Sequence, residues 1–79
     1  MSNELESMRE ELNDVCAGMI VRVEDDGVKV ADGGYLNLVV SPAPQMMWKV
    51  VGDLSDGREF ESEYRSTSDV VHFFRTEIC

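Results

Sequence analysis

Few residues of this chain are of the types that carry out catalysis. His72 is the only histidine, and no serine or cysteine stands at a spacing from it that is typical of a nucleophilic site. Cys16 and Cys79 are isolated, so the four nitrogen and sulfur ligands of a zinc site are missing from the sequence. We therefore predict that the protein is not an enzyme and uses neither a metal nor a cofactor. The thiols are predicted to be reduced, with a disulfide between the two helix ends as the alternative.

Two short motifs have the composition of ligand-binding loops. Asp25, Asp26 and Asp32 supply oxygen ligands of the kind that hard cations prefer, but Gly27 falls where an EF-hand loop needs its next ligand. Gly33-Gly34 leads towards another strand and not to the helix N-terminus that would hold a phosphate. Both motifs are interpreted as turns.

Carboxylates are the most abundant functional groups. The chain has 16 acidic residues against seven basic ones, a formal net charge of −9. Such a surface repels nucleic acid and anionic membranes, so we predict neither direct nucleic-acid binding nor membrane association. No apolar run approaches the ~20 residues of a membrane span and the N-terminus has no signal-peptide core, which indicates a cytoplasmic protein. Two explanations of the acidity stay open: a generally solvated surface, with or without adaptation to high salt, and mimicry of nucleic-acid phosphates.

The segment 46–65 contains the only tryptophan and a hairpin turn signal, and its register follows from the pattern of faces. A two-residue turn at Asp56-Gly57 would place glutamates on the face of Trp48. A three-residue loop over 55–57, with a positive φ at Gly57, instead pairs Trp48 with Tyr64. We predict the second register, because it separates apolar and acidic side chains onto opposite faces of the hairpin.

The acidic face of this hairpin carries the main candidate residues for function. Glu59, Glu61 and Glu63 alternate along one strand, so their side chains leave one face about 6.7 Å apart at ~3.3 Å per residue. This spacing is close to the repeat of phosphates along a nucleic-acid strand. The ordinary interpretation is the solvent-exposed face of an antiparallel sheet, with Lys49 opposite Glu63 as a favourable cross-strand pair.

The segment 19–40 predicts a three-stranded meander. An Asp26-Gly27 turn pairs Val23 with Val30, and a second, three-residue turn at 32–34 pairs Val30 with Leu36. Both turns place the valines and leucines on one buried face.

A loop is predicted over 41–45, because its two prolines remove backbone donors. Met46 and Met47 follow this loop. They are predicted to fill the core beside Trp48, with an exposed partner-binding patch as the alternative.

Helices are predicted at both ends of the chain. The first covers 2–16, with Ser2 or Asn3 as its cap. Its apolar residues recur at three- and four-residue intervals and comprise Leu5, Met8, Leu12 and Val15. This stripe predicts packing on a sheet, with a seam for a partner helix as the alternative.

The second predicted helix covers 67–78 and begins after Ser66, which caps it together with Asp69. Its apolar side, comprising Val70, Val71, Phe74 and Ile78, should pack onto the sheet.

These segments predict a single α+β domain over 1–79, in the order α-β-β-β-β-β-α. A curved antiparallel sheet has the N- and C-terminal helices packed on its apolar face. A small, partly closed barrel with flanking helices is the alternative fold. The order of elements and the acidic balance resemble those of many small viral and archaeal proteins, and no motif identifies a family.

For function, the acidic face predicts a non-enzymatic protein-interaction module. Its most concrete form is an inhibitor or regulator that covers a basic, nucleic-acid-binding surface of a protein partner. The alternative is a salt-adapted structural or oligomer-forming domain, such as a homodimer, that uses Met46, Met47 and the first helix as its interface. The predicted partner-binding residues are carboxylates of the second hairpin, the first turn and the first helix: Glu59, Glu61, Glu63, Asp53, Asp25, Asp26, Glu10, Glu11 and Asp14.

Overall fold

The computed structural model describes residues 3–25, 27–33, 36–45 and 47–78, and it contains one five-stranded antiparallel sheet with a helix at each end of the chain. The elements in chain order are α1 (Asn3–Val15), β1 (Ile20–Glu24), β2 (Gly27–Asp32), β3 (Leu36–Pro42), β4 (Trp48–Asp53), β5 (Glu59–Tyr64), α2 (Thr67–Phe73) and a π-helical segment (Phe74–Ile78). Each strand pairs with its neighbour in sequence, so the spatial order is β1-β2-β3-β4-β5. The predicted fold class and element order are confirmed.

Both helices pack on the same side of the sheet. α1 lies against β1 and β2, while α2 lies against β4 and β5, and the two helices also touch each other. The core between the helices and the sheet is apolar: Leu5, Met8, Leu12, Cys16, Val28, Val30, Leu36, Leu38, Val40, Trp48, Val50, Val70 and Phe74. The opposite side of the sheet carries no helix of the described residues, and we call it the open face.

The stripe of α1 packs into this core, as predicted. Leu5, Met8 and Leu12 are buried and Val15 is half-buried. The helix stops before Gly18, whose φ of 95° suits glycine and ends the helical path. The predicted cap rests on Ser2 and on the side chain of Asn3, which lie outside the described residues.

The β1–β2 register differs from the predicted one by two residues. Val23 lies opposite Val28 and not opposite Val30, and the last pair before the turn is Glu24 with Gly27. Asp25 takes a positive φ of 52°, which aspartate tolerates better than most residues. Gly27 belongs to β2, where a Cβ would lie 2.9 Å from Val39 Cγ1. The predicted turn was wrong because Gly27 is needed for close packing in the strand.

The β2–β3 register also differs by two residues. Val30 lies opposite Leu38 and not opposite Leu36, which instead pairs with Asp32. A shift of two residues leaves every side chain on its predicted face. The apolar face of the meander is therefore confirmed, although both of its predicted pairings were wrong.

The predicted loop over 41–45 begins too early, because β3 continues to Pro42, which pairs with Trp48. The Ala43 N–H donates to the Met47 carbonyl at 3.4 Å. Hydrogen-bonded and non-hydrogen-bonded pairs alternate in an antiparallel ladder, so Pro42 and Trp48 form a non-hydrogen-bonded pair. The N–H that proline lacks is therefore not needed for pairing with β4.

The register of the β4–β5 hairpin is as predicted. Trp48 lies opposite Tyr64, and the Leu54 N–H donates to the Arg58 carbonyl at 2.8 Å across a three-residue loop. Gly57 has the expected positive φ, 89°. The Arg58 backbone N–H donates to the Asp56 carboxylate at 3.1 Å, which together with the Arg58 side chain lowers the pKa of Asp56.

α2 begins as predicted but continues differently. Val70 and Phe74 are buried, and Val71 and Ile78 are half-buried against the core. The chain changes from α- to π-helical geometry at Phe74. Phe73, which the helical pattern did not mark as a core residue, stacks on Phe60 with ring centroids 5.0 Å apart.

The N-cap of α2 supplies the first testable prediction. Ser66 has extended backbone geometry, and its Oγ accepts a hydrogen bond from the Asp69 N–H at 3.2 Å. Ser66→Ala removes this acceptor and should lower the free energy of unfolding by about 1 kcal/mol. Urea unfolding followed by circular dichroism measures the change. Ser66→Asn, which retains a capping oxygen, is the control, and an equal loss in both variants would contradict the role of the cap.

Candidate protein-interaction surface

The predicted carboxylates of the second hairpin lie together on the open face. Glu59, Glu61 and Glu63 are all exposed along β5, and Asp53 is exposed on β4 directly opposite Glu59. They share this face because side chains alternate along a strand and directly opposed residues point the same way. We call these four residues the acidic patch.

One cation lies inside the acidic patch. The Lys49 ammonium contacts Glu61 Oε2 at 2.9 Å, so the ion pair is diagonal. The predicted backbone pairing of Lys49 with Glu63 is correct, but the closest carboxylate is that of Glu61. The hydrogen bond from Lys49 to Glu61 raises the pKa of Lys49, which keeps this ammonium charged as the pH rises. The middle carboxylate of the row is thus partly neutralised, whereas Glu59 and Asp53 have no ion pair among the described residues.

Two exposed valines lie beside the acidic patch at the centre of the open face. Val39 is 38% exposed and Val51 is 39% exposed, and they are direct neighbours on β3 and β4. They belong to one row of paired residues across the sheet: Arg22, Lys29, Val39, Val51 and Glu61. The row changes from basic at the β1 edge, through apolar, to acidic at the β5 edge. The predicted hairpin register already places Val51 on the acidic face, whereas Val39 was missed, although its alternation with buried neighbours was the signal that could have found it.

The turn that contains Asp25 is not part of this patch. It joins β1 to β2 at the opposite edge of the sheet, and four strand spacings of about 4.8 Å separate β1 from β5. It also lies at the other end of the strands from Glu59. Because neighbouring strands are antiparallel, β2 and β4 begin at the end that carries this turn, whereas β5 begins at the opposite end, with Glu59. Asp25 is exposed, and Asp26 lies outside the described residues.

The acidic residues of α1 form a second surface. Glu10, Glu11 and Asp14 are exposed on a helix that covers the other side of the sheet. Glu11 and Asp14 line a shallow depression together with Arg75. A flat partner surface therefore cannot contact these residues and the acidic patch at the same time.

The Met46-Met47-Trp48 cluster divides between core and surface. Trp48 is buried, with 2% exposure, and its Nε1–H donates to Thr67 Oγ1 at 3.3 Å. Met47 is 50% exposed, so its predicted position in the core was wrong. It is the last residue of the loop before β4 and borders a shallow cavity beside Glu4 and Ser7 of α1. Met46 lies outside the described residues.

The remaining reactive groups do not assemble into a site. No group of three or more His, Cys, Asp or Glu side chains is placed to hold a metal ion within the described ranges. His72 is exposed on α2. Cys16 is buried at the end of α1, while Cys79, its candidate disulfide partner, lies outside the described residues. None of the helices described is long and apolar enough to cross a membrane.

Comparison of the chain with protein-family models, with curated proteins and with solved structures found no match in any of the three. An inference about function therefore has to rest on the chemistry of the chain's own surface. The acidic patch and its neighbouring valines are the part of that surface with the most defined arrangement.

Proposed function

We propose that the protein is a non-enzymatic interaction module that places its acidic patch on a basic, nucleic-acid-binding surface of a protein partner. In that role it would inhibit or regulate the partner by occupying the groove that normally holds phosphates. Its expected place of action is the cytoplasm.

The observation that carries this proposal is the arrangement of Asp53, Glu59, Glu61 and Glu63. Their side chains leave one open sheet face, all are exposed, and the three glutamates are spaced about 6.7 Å apart along β5 at ~3.3 Å per residue. A strand holds carboxylates at fixed spacing, whereas a loop would have to be ordered on binding. The preformed row therefore lowers the entropic cost of meeting an equally regular row of lysines or arginines.

The neighbouring valines add a second kind of contact. Val39 and Val51 lie next to the acidic patch and expose apolar surface that partner side chains could cover. Basic residues of a nucleic-acid-binding groove carry long apolar stems below their charged ends. The stems can rest on the valines while the charged ends reach the carboxylates. The net charge of −9 would also speed the approach to a basic partner at low salt.

The proposal predicts a charge-dependent loss of binding in the triple variant Glu59→Gln, Glu61→Gln and Glu63→Gln. Each exposed ion pair contributes about 0.2–1 kcal/mol, so the loss of three should raise the dissociation constant about 3- to 150-fold at low salt. The partner is first captured from extract of the source cells, and the affinity of the purified pair is then measured by calorimetry at low and high salt. Nucleic acid should compete with the wild-type protein for this partner.

A matched control variant changes three carboxylates on the other surface: Glu10→Gln, Glu11→Gln and Asp14→Asn. It alters the net charge by the same amount as the triple variant of β5. It should leave the short-range contacts between the acidic patch and the partner intact. Equal weakening by both variants would show that only the overall charge matters. Binding that survives the β5 substitutions, or that does not change with salt, would overturn the proposal.

The alternative function is a salt-adapted structural domain that oligomerises through Met46, Met47 and α1. Exposed Met47 favours it, since this side chain borders a shallow cavity with Glu4 and Trp48. However, the stripe of α1 is already buried in the chain's own core, so α1 offers no further apolar stripe to a partner. Unfolding in dilute buffer with refolding in molar potassium chloride would support this alternative, and a stable monomer in dilute buffer would contradict it.

A further inference from the structure

β5 is an edge strand, and the pattern of hydrogen bonds identifies which of its backbone groups face outward. Leu54 and Arg58 form a hydrogen-bonded pair, since the Leu54 N–H donates to the Arg58 carbonyl. Hydrogen-bonded and non-hydrogen-bonded pairs alternate along an antiparallel ladder. Phe60, Ser62 and Tyr64 therefore use their backbone groups to bond β4.

The backbone groups of Glu59, Glu61 and Glu63 point away from β4. They form the non-hydrogen-bonded pairs with Asp53, Val51 and Lys49. No strand of the described residues lies on this side of β5. The three glutamates thus present two things at one edge: N–H and C=O groups that another strand would pair with, and carboxylates on the open face.

From this coincidence we infer that the protein binds an extended basic segment of its partner by strand addition along the outer edge of β5. The inference rests on the proposed function and specifies how the acidic patch is used. The incoming segment becomes a sixth strand. Its backbone bonds the N–H and C=O groups of Glu59, Glu61 and Glu63, as in other cases where a peptide extends a sheet.

The geometry of the added strand defines the sequence that it would need. Residues opposite Glu59, Glu61 and Glu63 place their side chains on the open face, next to the carboxylates, and should be lysine or arginine. The alternate residues lie opposite Phe60, Ser62 and Tyr64, on the side that carries α2. Phe60 and Tyr64 present aromatic rings there, against Phe73, so the segment should alternate basic and apolar residues.

A groove with one apolar side lies beside Phe60, at the start of β5. It has a volume of about 420 Å³ and is lined on its apolar side by Leu54, Phe60, Phe73 and Ile78. The Phe73 ring stacks on Phe60 and lies 5.6 Å from the Tyr64 ring. Its polar border comprises Ser55, Asp56, Arg58, Glu59 and Glu77, so three carboxylates outnumber one guanidinium. An aliphatic side chain can rest on these rings while its basic neighbours meet the acidic border.

A second copy of the chain suits this edge less well than a basic partner. Two β5 edges that paired would bring like charges together, and rows of charge on an edge strand are a known barrier to such pairing. The other edge of the sheet, β1, offers Arg22 as its single cation on the open face, and this side chain already lies 3.7 Å from Glu24. The charges therefore favour a separate basic segment.

The test uses the full chain and a seven-residue peptide in which lysine and valine alternate, with blocked ends. Backbone amide exchange is followed by NMR with and without the peptide. Strand addition should slow exchange at Glu59, Glu61 and Glu63 at least about tenfold, because these amides gain partners only in the complex. The amides of Phe60 and Ser62 already bond β4 and should change much less.

Two control peptides separate strand addition from charge attraction alone. The first has the same residues with its lysines in one block, and the second has methyl groups on alternate backbone nitrogens. Both should bind at least about tenfold more weakly, since one misplaces the side chains and the other removes the backbone donors.

The outcomes separate the inference of strand addition from the proposed function on which it rests. If all three peptides bind equally and the glutamine triple variant binds none, charge docking holds and strand addition is overturned. If the alternating peptide binds the wild type and the triple variant equally, the acidic patch is not the binding surface and both proposals fail. A β5-to-β5 dimer in the absence of peptide, detected by ultracentrifugation, would also overturn the inference.

Discussion

Replacing Gly52 with alanine is expected to destabilise the fold by about 3 kcal/mol or more. A Cβ at this position would overlap the backbone carbonyl of Asn37 and lie 2.8 Å from Leu38 Cα. These are backbone atoms of the adjacent strand, so β3 and β4 would have to separate. Gly52 also has a φ of 154°, which side chains disfavour.

The size of this effect is large relative to the whole stability of the domain, about 4–12 kcal/mol for a chain of this length. Urea unfolding of the variant measures it. Gly18→Ala is the matched control, because Gly18 has a φ of 95° but nothing within 4 Å of a Cβ. The free energy of unfolding of the control should fall only by the cost of a positive φ at alanine, about 1–2 kcal/mol. Equal losses in the two variants would mean that the contact between β3 and β4 is looser than the structure shows.

Phe74→Ala is the second substitution with a large expected effect, about 3–5 kcal/mol. Phe74 is fully buried and is the largest fully buried side chain of the described core. Its ring meets Phe73 edge-on, with centroids 5.2 Å apart. Removing it leaves a cavity where α2 joins the π-helical segment.

The midpoint of urea unfolding measures the loss, and an unchanged slope would show that the transition keeps its cooperativity. Phe74→Leu should lose much less than the alanine variant, because it retains most of the buried volume. His72→Ala, on the exposed side of the same helix, should change stability by no more than about 0.5 kcal/mol. An alanine variant at Phe74 as stable as the one at His72 would contradict the assigned core.

The sequence predicted the fold well where two independent constraints met. In the β4–β5 hairpin, the positive-φ glycine at Gly57 and the separation of apolar from acidic side chains agreed on one loop, and the register was correct. In the meander, alternation of valines determined only which face each residue occupies. The register of β1 with β2 then depended on the turn. There Asp25 has the positive φ, and Gly27 is the first residue of β2.

The candidate site could be predicted only where local spacing determines it. Glu59, Glu61 and Glu63 share a face because they alternate along one strand, which needs no knowledge of the rest of the fold. Whether Asp25 or the acids of α1 join them depends on strand order and on which side of the sheet the helix covers. The Lys49–Glu61 ion pair was missed for a related reason, since a flexible lysine reaches a diagonal neighbour as easily as the residue opposite.

The sequential order of the strands has a consequence for how quickly the protein folds. Every strand pairs with the next one along the chain, through short connections. Contacts between residues close in sequence cost little chain entropy to form, and proteins rich in them fold faster than proteins that must join distant strands. The contact of α1 with α2 is the exception, because it joins opposite ends of the chain. We therefore expect the strand pairs to form rapidly, and we expect the docking of the two terminal helices to limit the rate of folding.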